Sequence, residues 1–110
     1  MNILITGGTG YLGSHAVNKL RKKHRIFVLD KTSDRFKLNK IKKKCEFFSG
    51  SVNYENLNYI FNNYKIDIVL HFGGAIKQKT SNNNIYFKDL KSTILLINLI
   101  KNFKIKYLIF

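Results

Sequence analysis

The sequence contains no proline and no tryptophan, a single cysteine, and 6 acidic residues against 20 basic ones. One cysteine, Cys45, excludes an internal disulfide and a cysteine-based metal site; it is expected to pack as a small hydrophobe in a strand. No apolar run approaches the roughly 20 residues needed to cross a bilayer. The first residues read as a strand, not as a charged segment leading into an apolar signal core, so a soluble, cytoplasmic chain with no membrane partner is expected. A length of 110 residues matches one domain and leaves no room for a second, substrate-binding one. The shortage of acid leaves a net charge of +14, which would ordinarily raise nucleic acid or an anionic membrane as partner. Lysine supplies 17 of the 20 basic residues, and asparagine, isoleucine, phenylalanine and tyrosine are abundant, as A/T-rich codons would produce. No nucleic-acid motif accompanies the charge, so the lysines read first as solvated surface and second as a selected polyanion surface.

What the chain does have is a glycine-rich turn between two regular elements. Asn2 to Thr6 is short, apolar and β-branched, suited to a buried parallel strand. Tyr11 to Lys23 carries Leu12, Ala16, Val17 and Leu20 at helical spacing, and Gly7, Gly10 and Gly13 lie across the junction. Gly7 allows a sharp turn, Gly10 lets backbone N–H groups approach a pyrophosphate, and Gly13 lets the helix pack closely. The helix start then offers free N–H groups and a partial positive charge to an anion. Asp30 closes the second apolar run, Ile26 to Leu29, seventeen residues after Gly13, where a carboxylate accepts hydrogen bonds from ribose hydroxyls. Strand, glycine turn, helix and acid together predict a dinucleotide site.

Thr6-Gly7-Gly8-Thr9-Gly10-Tyr11-Leu12-Gly13-Ser14-His15 resembles the opening of the extended short-chain dehydrogenases/reductases, within them the NAD-dependent epimerase/dehydratase family and its UDP-glucose 4-epimerase branch. The resemblance runs from Met1 to Phe110 and implies NAD as cofactor. It also implies cofactor contacts from Gly7, Gly10, Tyr11, Leu12, Gly13 and Asp30, with Tyr11 lining the cleft. Gly50-Ser51 stands where the family has a Gly-Asp pair against adenine, so Ser51, with Val52 beside it, offers no charged acceptor. His71-Phe72-Gly73-Gly74-Ala75 resembles a family element whose backbone passes along the pyrophosphate, which implies contacts from Phe72, Gly73 and Gly74. His71 reads as a buried, hydrogen-bonded strand-end residue before it reads as an acid/base. Thr93-Ile94-Leu95-Leu96 resembles the family's Gly-Thr-x-x-Leu stretch, but Asp89 or Leu90 lies where the family carries an asparagine.

Between these motifs, Lys31 to Lys44 reads as a loop and a short helix, Cys45 to Gly50 as a third strand, and Asn53 as the N-cap of a helix from Tyr54 to Tyr64. Ile66 to Phe72 is predicted as a fourth strand, Lys77 to Asn84 as a polar loop, and Tyr86 to Phe103 as a helix with Leu90, Ile94, Ile97 and Ile100 or Lys101 at helical spacing. Ile105 to Phe110 is predicted as a fifth strand.

Five apolar strands alternating with helices predict an α/β, Rossmann-like, doubly wound parallel sheet in the order 3-2-1-4-5, stopping before a sixth strand. The family's chemistry uses a Ser or Thr after strand five and a Tyr-x-x-x-Lys helix; in this sequence no tyrosine has a lysine four positions on, so no catalytic residue is assigned. Two classes of function stay open: the NAD-binding part of a nucleotide-sugar epimerase, as a truncated product or as one piece of a split enzyme whose other half supplies catalysis and sugar binding, or a non-enzymatic, degenerate Rossmann module binding a nucleotide, a partner protein or a polyanion. The edge of strand five is expected to pair with that missing half or with a second copy.

Overall fold

The computed structural model describes residues 1–32, 34–41, 43–74 and 83–110. Along the chain run β1 (Asn2–Thr6), α1 (Tyr11–Leu20), β2 (Arg25–Asp30), α2 (Arg35–Ile41), β3 (Glu46–Ser49), α3 (Tyr54–Asn63), β4 (Ile68–His71), α4 (Asn83–Asn102) and β5 (Tyr107–Ile109). The strands form one parallel sheet in the order β3-β2-β1-β4-β5, as expected, with Leu4 opposite Phe27 and Val69.

The strands read as unbroken apolar runs because both faces of the sheet are covered. Leu4, Phe27, Leu29 and Val69 point to one face, where they pack with Leu57, Ile60 and Phe61 of α3 and Leu96 and Leu99 of α4. Ile3, Ile5, Ile26, Val28 and Leu70 point to the other, against Val17 of α1 and Ile41 of α2. Each such side chain contributes about 1.5–3 kcal/mol by leaving water, which fixes strand register and helix placement together. Asn53 caps α3, its Oδ1 accepting the Asn56 N–H at 2.9 Å.

Several boundaries differ from expectation for identifiable reasons. Helix α1 stops at Leu20, not Lys23: Arg21 donates its N–H to Val17 O, and Lys23 and His24 both donate to Leu20 O, so the basic residues form the turn into β2. β4 begins at Ile68, not Ile66, because Asp67 is held on β1, donating its N–H to Asn2 O at 2.9 Å while its Oδ2 accepts the Asn2 N–H at 2.8 Å. β5 is confined to Tyr107–Ile109, after a residue with positive φ, Lys104 at 54°. Cys45 precedes β3 rather than lying in it; its thiol donates to Ile41 O at 3.3 Å, and burial pushes its pKa up to about 11.

Helix α4 starts at Asn83, not Tyr86, and turns Leu96 and Leu99 into the core, whereas Leu90 and Ile94, noted for their helical spacing, are 55% and 49% exposed. Leu12, counted on the apolar face of α1, is also exposed. Of the predicted 77–84 loop, residues 77–82 lie outside the described residues, as does Ala75. No described helix is long and apolar enough to cross a membrane.

Candidate functional site

The carboxyl ends of β1, β2, β3 and β4 lie side by side, and the predicted site residues follow them. Gly7 leaves β1 at φ +69°, and a Cβ there would stand 2.7 Å from Gly73 N, so the turns after β1 and β4 touch through backbone alone. The turn closes as Gly10 donates its N–H to Gly7 O at 3.1 Å, and α1 begins as Ser14 donates to Gly10 O at 2.9 Å. A Cβ on Gly13 would fall 2.2 Å from Gly7 O and 2.7 Å from Gly8 Cα. Gly13 thus packs on the turn itself, where only a bare Cα fits.

Gly10 differs. Among the described residues an added Cβ would meet only Gly7 O, at 3.3 Å, and otherwise project into open space beside the helix start. As the N-cap of α1, Gly10 makes no side-chain cap, and no acid stands in the first turn. The first N–H groups of α1 and the positive end of its dipole therefore face that space without a neutralising side chain.

Asp30, at the end of β2, is bound into the glycine turn. Its Oδ2 accepts the Thr9 N–H at 3.0 Å and the Thr9 hydroxyl at 2.6 Å, while Oδ1 accepts the Lys31 N–H at 2.8 Å. A carboxylate offers about four lone-pair sites, so Asp30 retains capacity for a further donor. Its own carbonyl accepts the Gly50 N–H at 3.0 Å, which brings the β3 end alongside. Ser51 is exposed there, its carbonyl accepting from Asn56 Nδ2 at 2.8 Å. Val52 packs instead against the core under α3 and α4.

After β4, Phe72 donates its N–H to Thr6 O at 3.0 Å, and Gly73 donates to Thr6 Oγ1 at 3.3 Å. Gly74 is exposed, with Asp89 Oδ2 of α4 3.7 Å from where its Cβ would be. His71 is buried, its Nδ1 2.6 Å from Thr6 Oγ1 and its Nε2 3.2 Å from Thr93 Oγ1. Burial holds its pKa below the ordinary histidine value, an effect the Asp89 charge partly offsets. Tyr11 and Leu12 stand on the first turn of α1, open to solvent; Tyr11 is 80% exposed, with its ring 4.7 Å from that of His15.

The structure thus brings Gly7, Gly10, Gly13, Asp30, Gly73 and Gly74 around one open edge, with Ser51 beside Asp30. It turns Val52 inward and leaves Tyr11 and Leu12 on the rim. Thr9, Thr6 and Thr93 tie this edge together; all three lie within the quoted motifs, but nothing in the motif spacing assigns them these hydrogen bonds. Among the described residues no group of histidine, cysteine, aspartate and glutamate could hold a metal ion. A shallow pocket lined by Phe61, Tyr64, Ile66 and Phe103 lies at the opposite edge of the sheet, away from the glycine turns.

The sequence and the fold both match known proteins. The profile of the NAD dependent epimerase/dehydratase family matches residues 3–110. The chain belongs to that family. It is 30% identical over 112 residues to a putative UDP-glucose 4-epimerase of Methanocaldococcus jannaschii, a match covering 98% of this chain and 36% of the relative. It is 35% identical over 125 residues to dTDP-D-glucose 4,6-dehydratase of Dictyostelium discoideum, covering 98% of this chain and 28% of the relative. The crystal structure of the Thermus thermophilus UDP-glucose 4-epimerase complex with NAD superposes with a TM-score of 0.88 at 25% identity, over all of this chain and 37% of that one. This epimerase/dehydratase family member therefore spans between 28% and 37% of the length of these relatives, and its matches include both an epimerase and a dehydratase.

Proposed function

We propose that this chain is the NAD-binding part of a nucleotide-sugar epimerase of the UDP-glucose 4-epimerase kind. The observation that carries the reading is the empty direction at Gly10: a glycine that the fold itself does not require stands between the unneutralised start of α1 and a carboxylate anchored at the end of β2. A dinucleotide uses both features, its pyrophosphate against the N–H groups and its adenosine ribose on the acid. Gly7, Gly10 and Gly13 would line the pyrophosphate, Asp30 would accept the ribose hydroxyls, Ser51 would lie toward the adenine, and Phe72, Gly73 and Gly74 would line the other side. When bound, NAD supplies hydride acceptance and return; the described residues bind and orient it.

Asp30 also sets the choice of cofactor. A 2′-phosphate would meet a carboxylate already fixed by Thr9, so NAD binds in preference to NADP, with Lys31 and Arg35 limiting the margin. The general acid/base of the family pattern is not in this sequence, and turnover is proposed to need residues beyond these 110. Half-exposed apolar side chains on β5 (Tyr107, Ile109) and on α4 (Phe87, Leu90, Ile94) support a covering partner there. Titration with NADH and NADPH, followed by ligand fluorescence, tests the binding; tighter NADPH binding at moderate salt would contradict it. The pure chain is expected to give no conversion of UDP-glucose to UDP-galactose. Conversion that vanishes in Gly10→Val would overturn that expectation.

A further inference from the structure

The hydrogen bonds around His71 run in one direction. Thr93 donates its hydroxyl proton to Asp89 O at 2.9 Å, so toward His71 it can only accept, and the ring must carry its proton on Nε2. Nδ1 is then an acceptor, and the Thr6 hydroxyl donates to it at 2.6 Å. With its hydroxyl proton pointed at the ring, Thr6 Oγ1 accepts the Gly73 N–H at 3.3 Å. The chain Gly73 N–H, Thr6, His71, Thr93, Asp89 O is thus consistent from end to end and links β1, β4 and α4. It terminates on the amide beside Gly7, where the turns after β1 and β4 meet without side chains. No buried side-chain polar atom among the described residues lacks a partner.

We propose that His71 is a positioning residue, held as the neutral Nε2–H tautomer between Thr6 and Thr93, and that this relay fixes the Gly73 turn against the Gly7 turn in the geometry that takes the cofactor's pyrophosphate. The proposal rests on the NAD reading for its ligand but not for its tautomer. β1 presents Thr6 to the ring, and α4 presents Thr93 and the Asp89 carboxylate; no other charge among the described residues perturbs it. Protonation at Nδ1 would put two donors face to face with Thr6. The hydroxyl would have to turn away, and the relay would lose its direction at the step nearest Gly73. NAD affinity should therefore fall in step with His71 protonation, although His71 touches no ligand.

The test uses the whole chain, labelled with nitrogen-15. Ring correlation spectra at pH 7 should show a protonated Nε2 and an unprotonated Nδ1. Thr6→Val should raise hydrogen exchange at the Gly73 amide and weaken NADH binding, each by about tenfold, the scale of one lost buried hydrogen bond. Thr6→Ser, which keeps the hydroxyl, should restore both. Thr93→Val, which frees Nε2, should shift the tautomer balance even if Thr6→Val fails to fold. An Nδ1–H or charged ring at pH 7 would overturn the proposal, as would a folded Thr6→Val with wild-type Gly73 exchange. If wild type binds no NADH while the tautomer and exchange results hold, the NAD reading fails and the relay stands.

Discussion

Alanine at Gly10 and alanine at Gly13 should separate ligand binding from folding. At Gly13 the new Cβ would lie 2.2 Å from Gly7 O, 2.7 Å from Gly8 Cα and 2.9 Å from Gly7 C, all backbone atoms that cannot rotate aside. Accommodating it means moving the turn or α1, an overpacking cost of about 1–3 kcal/mol that the better helix propensity of alanine, about 1 kcal/mol, does not fully offset. For a domain of this size a loss of about 1 kcal/mol lowers Tm by roughly 4–8 °C. At Gly10 the backbone has φ −70° and ψ 176°, which any residue adopts, and the Cβ meets one oxygen at 3.3 Å. Relief there needs a few tenths of an ångström, and alanine restricts the unfolded chain, so stability should change by less than about 1 kcal/mol. The methyl group nevertheless occupies the space proposed for the pyrophosphate, and NADH affinity should fall at least about tenfold, about 1.4 kcal/mol, with Gly10→Val abolishing it. Urea unfolding and NADH fluorescence titration on the same samples read both quantities. A folded Gly10→Ala that binds NADH like wild type would refute the reasoning, because the open direction at Gly10 would then not be the ligand's path.

Asp30→Asn should weaken NADH and narrow the NADH over NADPH preference, since hydrogen bonds to a charged acceptor are worth about 1.5–3 kcal/mol; paired titrations check it, and an unchanged ratio would remove Asp30 from selectivity. Stability should fall as pH drops below about 6.5, the ordinary histidine value. The unfolded chain takes up the proton before His71 does, because burial lowers the folded pKa, so the loss continues until that lower value is reached. Urea midpoints for wild type and His71→Asn between pH 7.5 and 5 measure it, the variant being expected to show the shallower slope. The exposed edge at Tyr107 and Ile109 should promote self-association, opposed at low salt by the net charge of +14. Sedimentation should show larger species as salt rises; a monomer at every salt concentration, with β5 amides as protected as those of β1, would show that the edge is already satisfied.

The parts of the fold legible in the sequence are those set by burial on two sides. Ile3-Leu4-Ile5 and Ile26 to Leu29 must fill both cores, so they carry no polar residue and stand out as strands. The glycine turn is legible because Gly7 and Gly13 mark close backbone approaches and Gly10 an open one, yet Gly8, to which the motif assigns no role, is also crowded: a Cβ on it would lie 2.5 Å from Val28 Cγ1, a side-chain atom, where one on Gly13 would meet backbone. Helix ends were less legible. Arg21 to Lys23 suit a helix or a turn equally, and the choice fell to the distance left to reach β2. The buried face of α4 is not legible because Leu90, Ile94 and Ile97 form one apolar stripe and Leu96 and Leu99 another, and periodicity cannot say which meets the sheet. The Thr9–Asp30 and Thr6–His71 bonds join residues 21 and 65 positions apart, and only the folded chain sets them side by side.

The claim at the centre of this account is that the glycine turns and Asp30 form one dinucleotide site. Backbone amide shifts of the labelled chain on adding NAD at near-physiological salt test it most directly. Saturable shifts are expected, concentrated at Gly7, Gly10, Tyr11, Lys31 and Gly73, with little change in the basic segment from Lys19 to His24 or in α2. Shifts confined to those basic segments and lost as salt rises would mean that NAD is held as a generic anion, and would contradict it.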